Sequence, residues 1–188
     1  MKAETYRFNS DAQIRLKKLL GFPGVLTPKI KLKGPTVIHR DASTAPSPGR
    51  FSAKLTMREM NLAGKVLGAK VKVALNDDPS FPSEGLVEGR AEPHSPDPQS
   101  PEPIGMQKSH FDVFIKISTP FGTFFNDKPV VMRAALKSVP PDWAKYRQYS
   151  PPRDFLDKVT RSIVAQATCD WHQVYDVESV PDVNLGQG

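Results

Sequence analysis

The sequence predicts an α+β protein, a mostly antiparallel sheet covered on one face by a C-terminal helix. A short N-terminal helix and a long proline-rich loop complete the prediction. Several segments alternate apolar and polar residues with a period of two, as half-buried strands do. The stretch 151–168 instead spaces its apolar residues at helical intervals. No crossover helices separate the strands of the second half, which favours antiparallel pairing.

The central strand is predicted at 109–119. Its apolar residues occupy alternate positions and face the core, while polar residues occupy the intervening ones. The apolar set is Phe111, Val113, Ile115 and Ile117. Phe114 interrupts the polar set, so we expect part of the outer face to be covered as well.

Three further strands complete the predicted sheet, at 51–57, 69–75 and 130–137. The last of these also fits a helix over 129–139, although a strand is favoured. A short strand between two turns is expected within 120–127, and 171–180 could return as a final strand. The runner-up architecture is an all-β sandwich with the C-terminal helix as an appendage.

Residues 1–49 form a predicted basic segment with a helix and a lysine-rich strand. The helix is placed at Asp11–Leu20, with Ser10 before it, Gly21 at its C-terminal end and Pro23 just beyond. The strand, 27–34, alternates lysine with aliphatic residues and is expected to put its lysines on one face. Lysines in such a pattern also protect the exposed edge of a sheet, so both interpretations stay open.

The C-terminal helix is predicted from its capping residues and its apolar face. Ser150 suits the N-cap position, and Pro151 suits the first helical position. The predicted buried face consists of Phe155, Leu156, Val159, Ile163, Gln166 and Ala167.

The main domain is predicted at 50–180, interrupted by a disordered proline-rich acidic loop at 91–105. Residues 79–103 contain seven prolines and offer little apolar surface to bury. Residues 181–188 are expected to form a flexible tail.

Positive charge is concentrated in the first part of the chain. The net charge is +6, but residues 1–75 hold 15 Lys and Arg against 4 Asp and Glu, whereas residues 76–105 hold 1 against 7. Such a segment favours a polyanion, either nucleic acid or an anionic membrane surface, with RNA preferred over DNA. The predicted contact residues are Arg15, Lys17, Lys18, Lys29, Lys31, Lys33, Arg40 and Arg50.

Three aromatic residues, Trp143, Tyr146 and Tyr149, are interleaved with Lys145 and Arg147. Stacking on bases is one interpretation of this pattern. Packing of the aromatics against the protein body is the commoner one.

No catalytic pattern emerges. Cys169 and His172 are close in sequence, which leaves a hydrolase as the least favoured function, because spacing alone does not place a base beside a nucleophile. A zinc site needs about four ligands, and the single cysteine has no paired partner. The sequence therefore predicts no enzyme, no cofactor, no metal and no small-molecule substrate.

The predicted function is that of a non-enzymatic structural or assembly protein that self-associates into a homo-oligomer. The character of the chain is typical of small viral matrix, capsid or movement proteins. The alternative is a monomeric RNA-binding regulatory module, of the silencing-suppressor type. The N-terminus lacks the apolar core of a signal peptide and only one cysteine is present, which predicts a cytoplasmic, nuclear or virion location.

Overall fold

The computed structural model describes residues 1–17, 28–92 and 103–181. These residues form twelve strands in one antiparallel sheet, and no helix occurs among them. The strands are β1 (Glu4–Lys17), β2 (Lys29–Arg40), β3 (Arg50–Val66), β4 (Ala69–Leu75), β5 (Glu84–Ala91), β6 (Pro103–Val113), β7 (Ile115–Thr119), β8 (Gly122–Phe125), β9 (Val130–Leu136), β10 (Ala144–Gln148), β11 (Arg153–Asp157) and β12 (Ile163–Val180).

The sheet closes on itself because β1 pairs along its length with β12 as well as with β2. Four long strands, β1, β2, β3 and β12, run the full height of this closed sheet. Between β3 and β12, each of the four remaining positions around the sheet is filled by two short strands that lie end to end. Thus β3 pairs with β4 at one end and with β5 at the other, and β12 pairs likewise with β11 and β10. The result is an up-and-down meander around one apolar interior, in which four long strands and four end-to-end pairs of short strands occupy eight positions.

The strands predicted at 51–57, 69–75 and 130–137 are confirmed, and β3 and β12 are longer than expected. The single strand predicted at 109–119 is instead two strands, β6 and β7. Phe111 and Ile117 are buried as predicted. Phe114 separates β6 from β7, and its ring is covered by Phe81 at 5.3 Å. The backbone at this break is held by Asn126, whose side-chain oxygen accepts from the Ile115 amide at 2.7 Å.

The predicted N-terminal helix is wrong, and so is the α+β class. Residues up to Lys17 belong to β1, in which Ala12, Ile14 and Leu16 face the interior. This period of two was present in the sequence, but the capping signals and the shortness of the segment favoured a helix. The segment is a strand because it pairs with β2 on one side and with β12 on the other.

The predicted C-terminal helix is also wrong. Residues 153–157 form β11, a turn follows, and Ile163 begins β12. Phe155 is buried, whereas Val159 is 88% and Ile163 59% exposed. Asp157 holds the turn, since its Oδ1 accepts hydrogen bonds from the amides of Val159 and Thr160 at 3.0 and 2.8 Å. Ser150 caps no helix, because its Oγ accepts from the Val131 amide.

The lysine-rich strand is confirmed as β2, with Ile30 and Leu32 buried. It is not an edge strand, because β1 and β3 pair with it on both sides. Edge protection therefore does not explain its lysines. Of the predicted loop, Ala91 belongs to β5 and Pro103 opens β6, while 93–102 lie outside the described residues, as does most of the predicted tail. Among the described residues, none belongs to a helix long and apolar enough to cross a membrane.

Candidate functional site

A group of exposed lysines covers the outer face of three neighbouring strands. The cross-strand register places Lys65 directly opposite Lys70 and puts Ala63 between Lys33 and Lys72. Like charges directly opposite each other in a sheet are destabilising. The members of this lysine patch are Lys29, Lys31 and Lys33 of β2, Lys65 of β3, and Lys70 and Lys72 of β4.

Little negative charge from the protein compensates the lysine patch. Lys33 lies 3.3 Å from Asp11, and its side chain remains 75% exposed. Within the described ranges, Lys65, Lys70 and Lys72 form no ion pair. The repulsion between these ammonium groups is therefore relieved by solvent ions or by an anionic partner.

Exposed apolar side chains gather at the end of the closed sheet next to the lysine patch. In an up-and-down meander, alternate turns lie at the same end, so the β3–β4, β7–β8 and β11–β12 turns lie around one opening. Because β4 pairs with β7 and β8 with β11, neighbouring turns are about two strand spacings, or about 10 Å, apart. The turns carry Leu67 (68% exposed), Phe121 (66%), Val159 (88%) and Ile163 (59%), which we call the apolar rim.

Leu67 is the most unusual member of the apolar rim. It and Gly68 form the two-residue β3–β4 turn, with φ values of 48° and 83°. Positive φ at both positions is the pattern of a type I′ turn, which favours Asn-Gly. A leucine in this conformation is strained, and here its side chain is mostly in solvent. Neither the turn nor the core explains the choice of leucine.

Further cations flank the rim at the β11–β12 turn. Lys158 is 63% exposed, with its Nζ 3.9 Å from Asp77, and the Arg161 guanidinium lies over the Phe125 ring at 4.6 Å. One carboxylate, Asp157, sits in the same turn. Hydrogen bonds from the Thr160 and Val159 backbone lower its pKa.

Two of the other residues predicted to contact a polyanion form ion pairs within the protein instead. Arg15 pairs with Asp170 on β12 at 3.1 Å. Arg40 is 1% exposed, lies 3.0 Å from a Glu4 oxygen, and donates to the Tyr6 hydroxyl and to the Lys2 carbonyl. Arg40 therefore holds the opposite end of the closed sheet together and is not a surface group.

The remaining cationic residues predicted to contact a polyanion lie apart from the lysine patch or outside the residues that the structure describes. Lys17 is half-buried at the end of β1, and Lys18 lies outside the described residues. Arg50 is exposed at the opposite end, where the register pairs it with Arg90. The sequence reasoning missed Lys65, Lys70 and Lys72. The alternation of Lys70 and Lys72 with Val71 and Val73 was the signal that could have identified two of them.

Of the three predicted stacking aromatics, Trp143 and Tyr149 are exposed and Tyr146 is buried. Tyr146 is 3% exposed, and its hydroxyl donates to Ser109 at 3.2 Å. Trp143 stacks on Tyr175 at 5.2 Å, and the ring of Tyr149 lies under the Arg133 guanidinium at 4.0 Å. Their neighbourhood, β10, is separated from the lysine patch by β12 and β1.

Cys169 and His172 face the same interior space because of a β-bulge. Ile14 pairs with Cys169 and Gln13 with Trp171, so Asp170 is an extra residue. Without it, residues three apart would face opposite sides of the sheet. Burial raises the pKa of Cys169 to about 12 and lowers that of His172 to about 4. The thiol is thus protonated at neutral pH, unlike an activated nucleophile.

The interior of the closed sheet is largely filled by side chains. The cavity beside Cys169 and His172 has a volume of about 40 Å³, and a second cavity beside Arg40 has about 10 Å³. Ligand pockets for organic molecules measure roughly 300–1,000 Å³. The interior between the described residues is therefore a packed core with these two small voids.

Fold and surface together define a closed antiparallel sheet with a packed interior and a cationic outer face. A similar fold occurs in DynF from the dynemicin biosynthesis pathway of Micromonospora chersina. The two chains share 20% sequence identity with a TM-score of 0.69, over 92% of this chain and 79% of that one. At this identity the likeness shows the fold alone. No protein-family model and no curated protein matches the sequence.

Proposed function

We propose that this protein binds anionic membrane surfaces from one side, with the apolar rim in the interfacial layer and the lysine patch on the headgroups. Leu67 carries the proposal, because it combines exposure, backbone strain and a position between Lys65 and Lys70. Backbone strain retained in a native turn is a reason to seek a function for the residue.

The expected energies suffice for reversible binding. Each rim side chain that leaves water contributes about 1–2 kcal/mol, given that these residues are only partly exposed. Each lysine near an anionic leaflet adds about 1 kcal/mol, and this part decreases as salt increases. Several such contributions together resemble the two-signal anchoring that stable membrane attachment requires.

The apolar rim favours a membrane over RNA as the partner. Phosphate contacts to RNA need the cations but not exposed aliphatic turns, and single-stranded RNA needs stacking platforms. The predicted aromatics are distant from the lysines or buried. In this proposal the protein acts by binding, and self-association stays a prediction. The likeness to DynF extends to the fold only, so the biosynthetic pathway of that protein does not bear on this proposal.

The decisive variant is Leu67→Asn. Asparagine suits the left-handed conformation better than leucine, so thermal stability should rise or stay unchanged. Binding to vesicles of phosphatidylcholine with about one third phosphatidylglycerol should weaken about tenfold, the equivalent of about 1.4 kcal/mol. Vesicle co-flotation and thermal unfolding measure the two effects separately, so a folding defect cannot imitate the binding defect.

Matched controls come from the opposite end of the closed sheet. Met106 is 58% exposed on β6, and Met106→Ser should leave vesicle binding unchanged.

The triple change of Lys65, Lys70 and Lys72 to glutamine should weaken vesicle binding about hundredfold, whereas Lys108→Gln should not. Equal binding to vesicles of pure phosphatidylcholine would contradict the role of charge. Lysine-dependent binding to RNA without any binding to vesicles would identify RNA as the partner instead.

A further inference from the structure

The small cavity inside the closed sheet is lined by an unusual set of side chains. Besides aliphatic residues, it is bordered by Cys169, His172, Met60 and Met132. His172 is 7% exposed, and its Nε2 is buried without a hydrogen-bond partner. An unsatisfied imidazole nitrogen in an apolar core is costly and calls for an explanation.

A buried water molecule explains the arrangement poorly. A water held inside a protein typically makes two to four hydrogen bonds to polar groups. Around this cavity, the described polar partners are one imidazole and one thiol, and the thiol is a weak donor and acceptor. The volume of about 40 Å³ accepts a single ion or water-sized species but not an organic ligand.

Four of the residues around the cavity instead carry side chains of the kinds that bind soft metal ions. We propose that Cys169 and His172, supported by the sulfur atoms of Met60 and Met132, bind one Cu(I) ion inside the closed sheet. Thiolate and thioether sulfur select Cu(I), and a neutral imidazole nitrogen also suits copper. The bulge at Asp170 is what brings the thiol and the imidazole to the same face of β12.

The charge balance favours a monovalent ion. On binding, the Cys169 S–H bond breaks, the proton leaves for solvent, and a sulfur–copper bond forms with no change in oxidation state. The thiolate and Cu(I) together are neutral, so the apolar interior accommodates them without an uncompensated charge. Zn(II) would leave one positive charge in that interior. It would also lack carboxylate or further imidazole ligands, since His, Cys, Asp and Glu form no cluster of three within the described residues.

The test is the uptake of Cu(I) from its complex with bicinchoninate, without oxygen, by the native full-length protein. One equivalent should bind, and X-ray absorption should show sulfur and nitrogen ligands. Uptake during refolding from urea is measured in parallel, because a closed interior could slow entry of the ion. The absence of uptake in both experiments would overturn the proposal.

Substitutions identify the ligands. Cys169→Ala and His172→Leu should each weaken Cu(I) binding by more than about a hundredfold, since a lost ligand costs more than a lost supporting contact. Met132→Leu should weaken it less. Met57→Leu is the matched control, because Met57 is equally buried on β3 but does not border the cavity. Undiminished binding in Cys169→Ala, or equal loss in Met57→Leu, would show that copper binds elsewhere.

Discussion

Two substitutions distinguish the strand–turn–strand arrangement of the C-terminal region from a helix. Phe155 is 1% exposed within β11, whereas Ile163 is 59% exposed at the start of β12. On a helix, positions eight residues apart lie on the same face, so truncation of either side chain would have similar consequences. In the closed sheet the two residues belong to different environments.

The expected losses of stability follow from burial. Phe155→Ala removes a fully buried ring and leaves a cavity, which costs about 3–5 kcal/mol of the free energy of unfolding. Ile163→Ala leaves no enclosed cavity, and only about two fifths of the side chain leaves a protein environment, so the loss should stay below about 1 kcal/mol. The contrast between the two variants is therefore several kcal/mol.

Urea unfolding monitored by tryptophan fluorescence measures both values, with Val159→Ala as a control at a largely exposed position. Val159 is 88% exposed, and its truncation should not change the unfolding midpoint. Losses for Phe155→Ala and Ile163→Ala within about 1 kcal/mol of each other would refute the arrangement. A far-UV circular-dichroism spectrum with the negative band typical of an α-helix would likewise refute the strand–turn–strand arrangement.

Three other outcomes follow from particular contacts. Gly64→Ala should cost about 1–3 kcal/mol of stability, measured by urea unfolding, because a methyl group there overlaps the carbonyl oxygen of Lys31. Glu4→Gln should lower stability by less than about 1 kcal/mol at neutral pH, because the Glu4 side chain is 47% exposed, and not at strongly acidic pH. The reason is that the hydrogen bond from Tyr6 lowers the Glu4 pKa, so this contribution exists above the unfolded pKa and is lost as pH falls through the folded one. Native Cys169 should react slowly with Ellman's reagent at neutral pH and faster once the protein is unfolded, since burial raises its pKa to about 12.

The sequence predicted the strands well where apolar residues alternate strictly. The period of two was sufficient to predict β4 and β9. It was also sufficient to predict that Phe111 and the apolar residues alternating with it face the interior. The lysine face of β2 followed from the same rule. Local residue patterns determine which side of a strand is apolar, because successive side chains point to opposite faces.

Only the tertiary structure decided that the sheet closes and that both predicted helices are strands. Their partners are distant in sequence, as the pairing of Thr5 with Val180 illustrates. Capping residues such as Ser150 were misleading because turns and helix ends favour the same side chains.

The candidate sites likewise depend on closure. The apolar rim exists because alternate turns of a meander meet at one end, and Leu67, Phe121 and Val159 are widely separated in the sequence. Cys169 and His172 share the interior because of a single extra residue in β12, and that register shift depends on pairing with β1. Charge and alternation were local properties of the chain, whereas register and closure depend on contacts between distant strands.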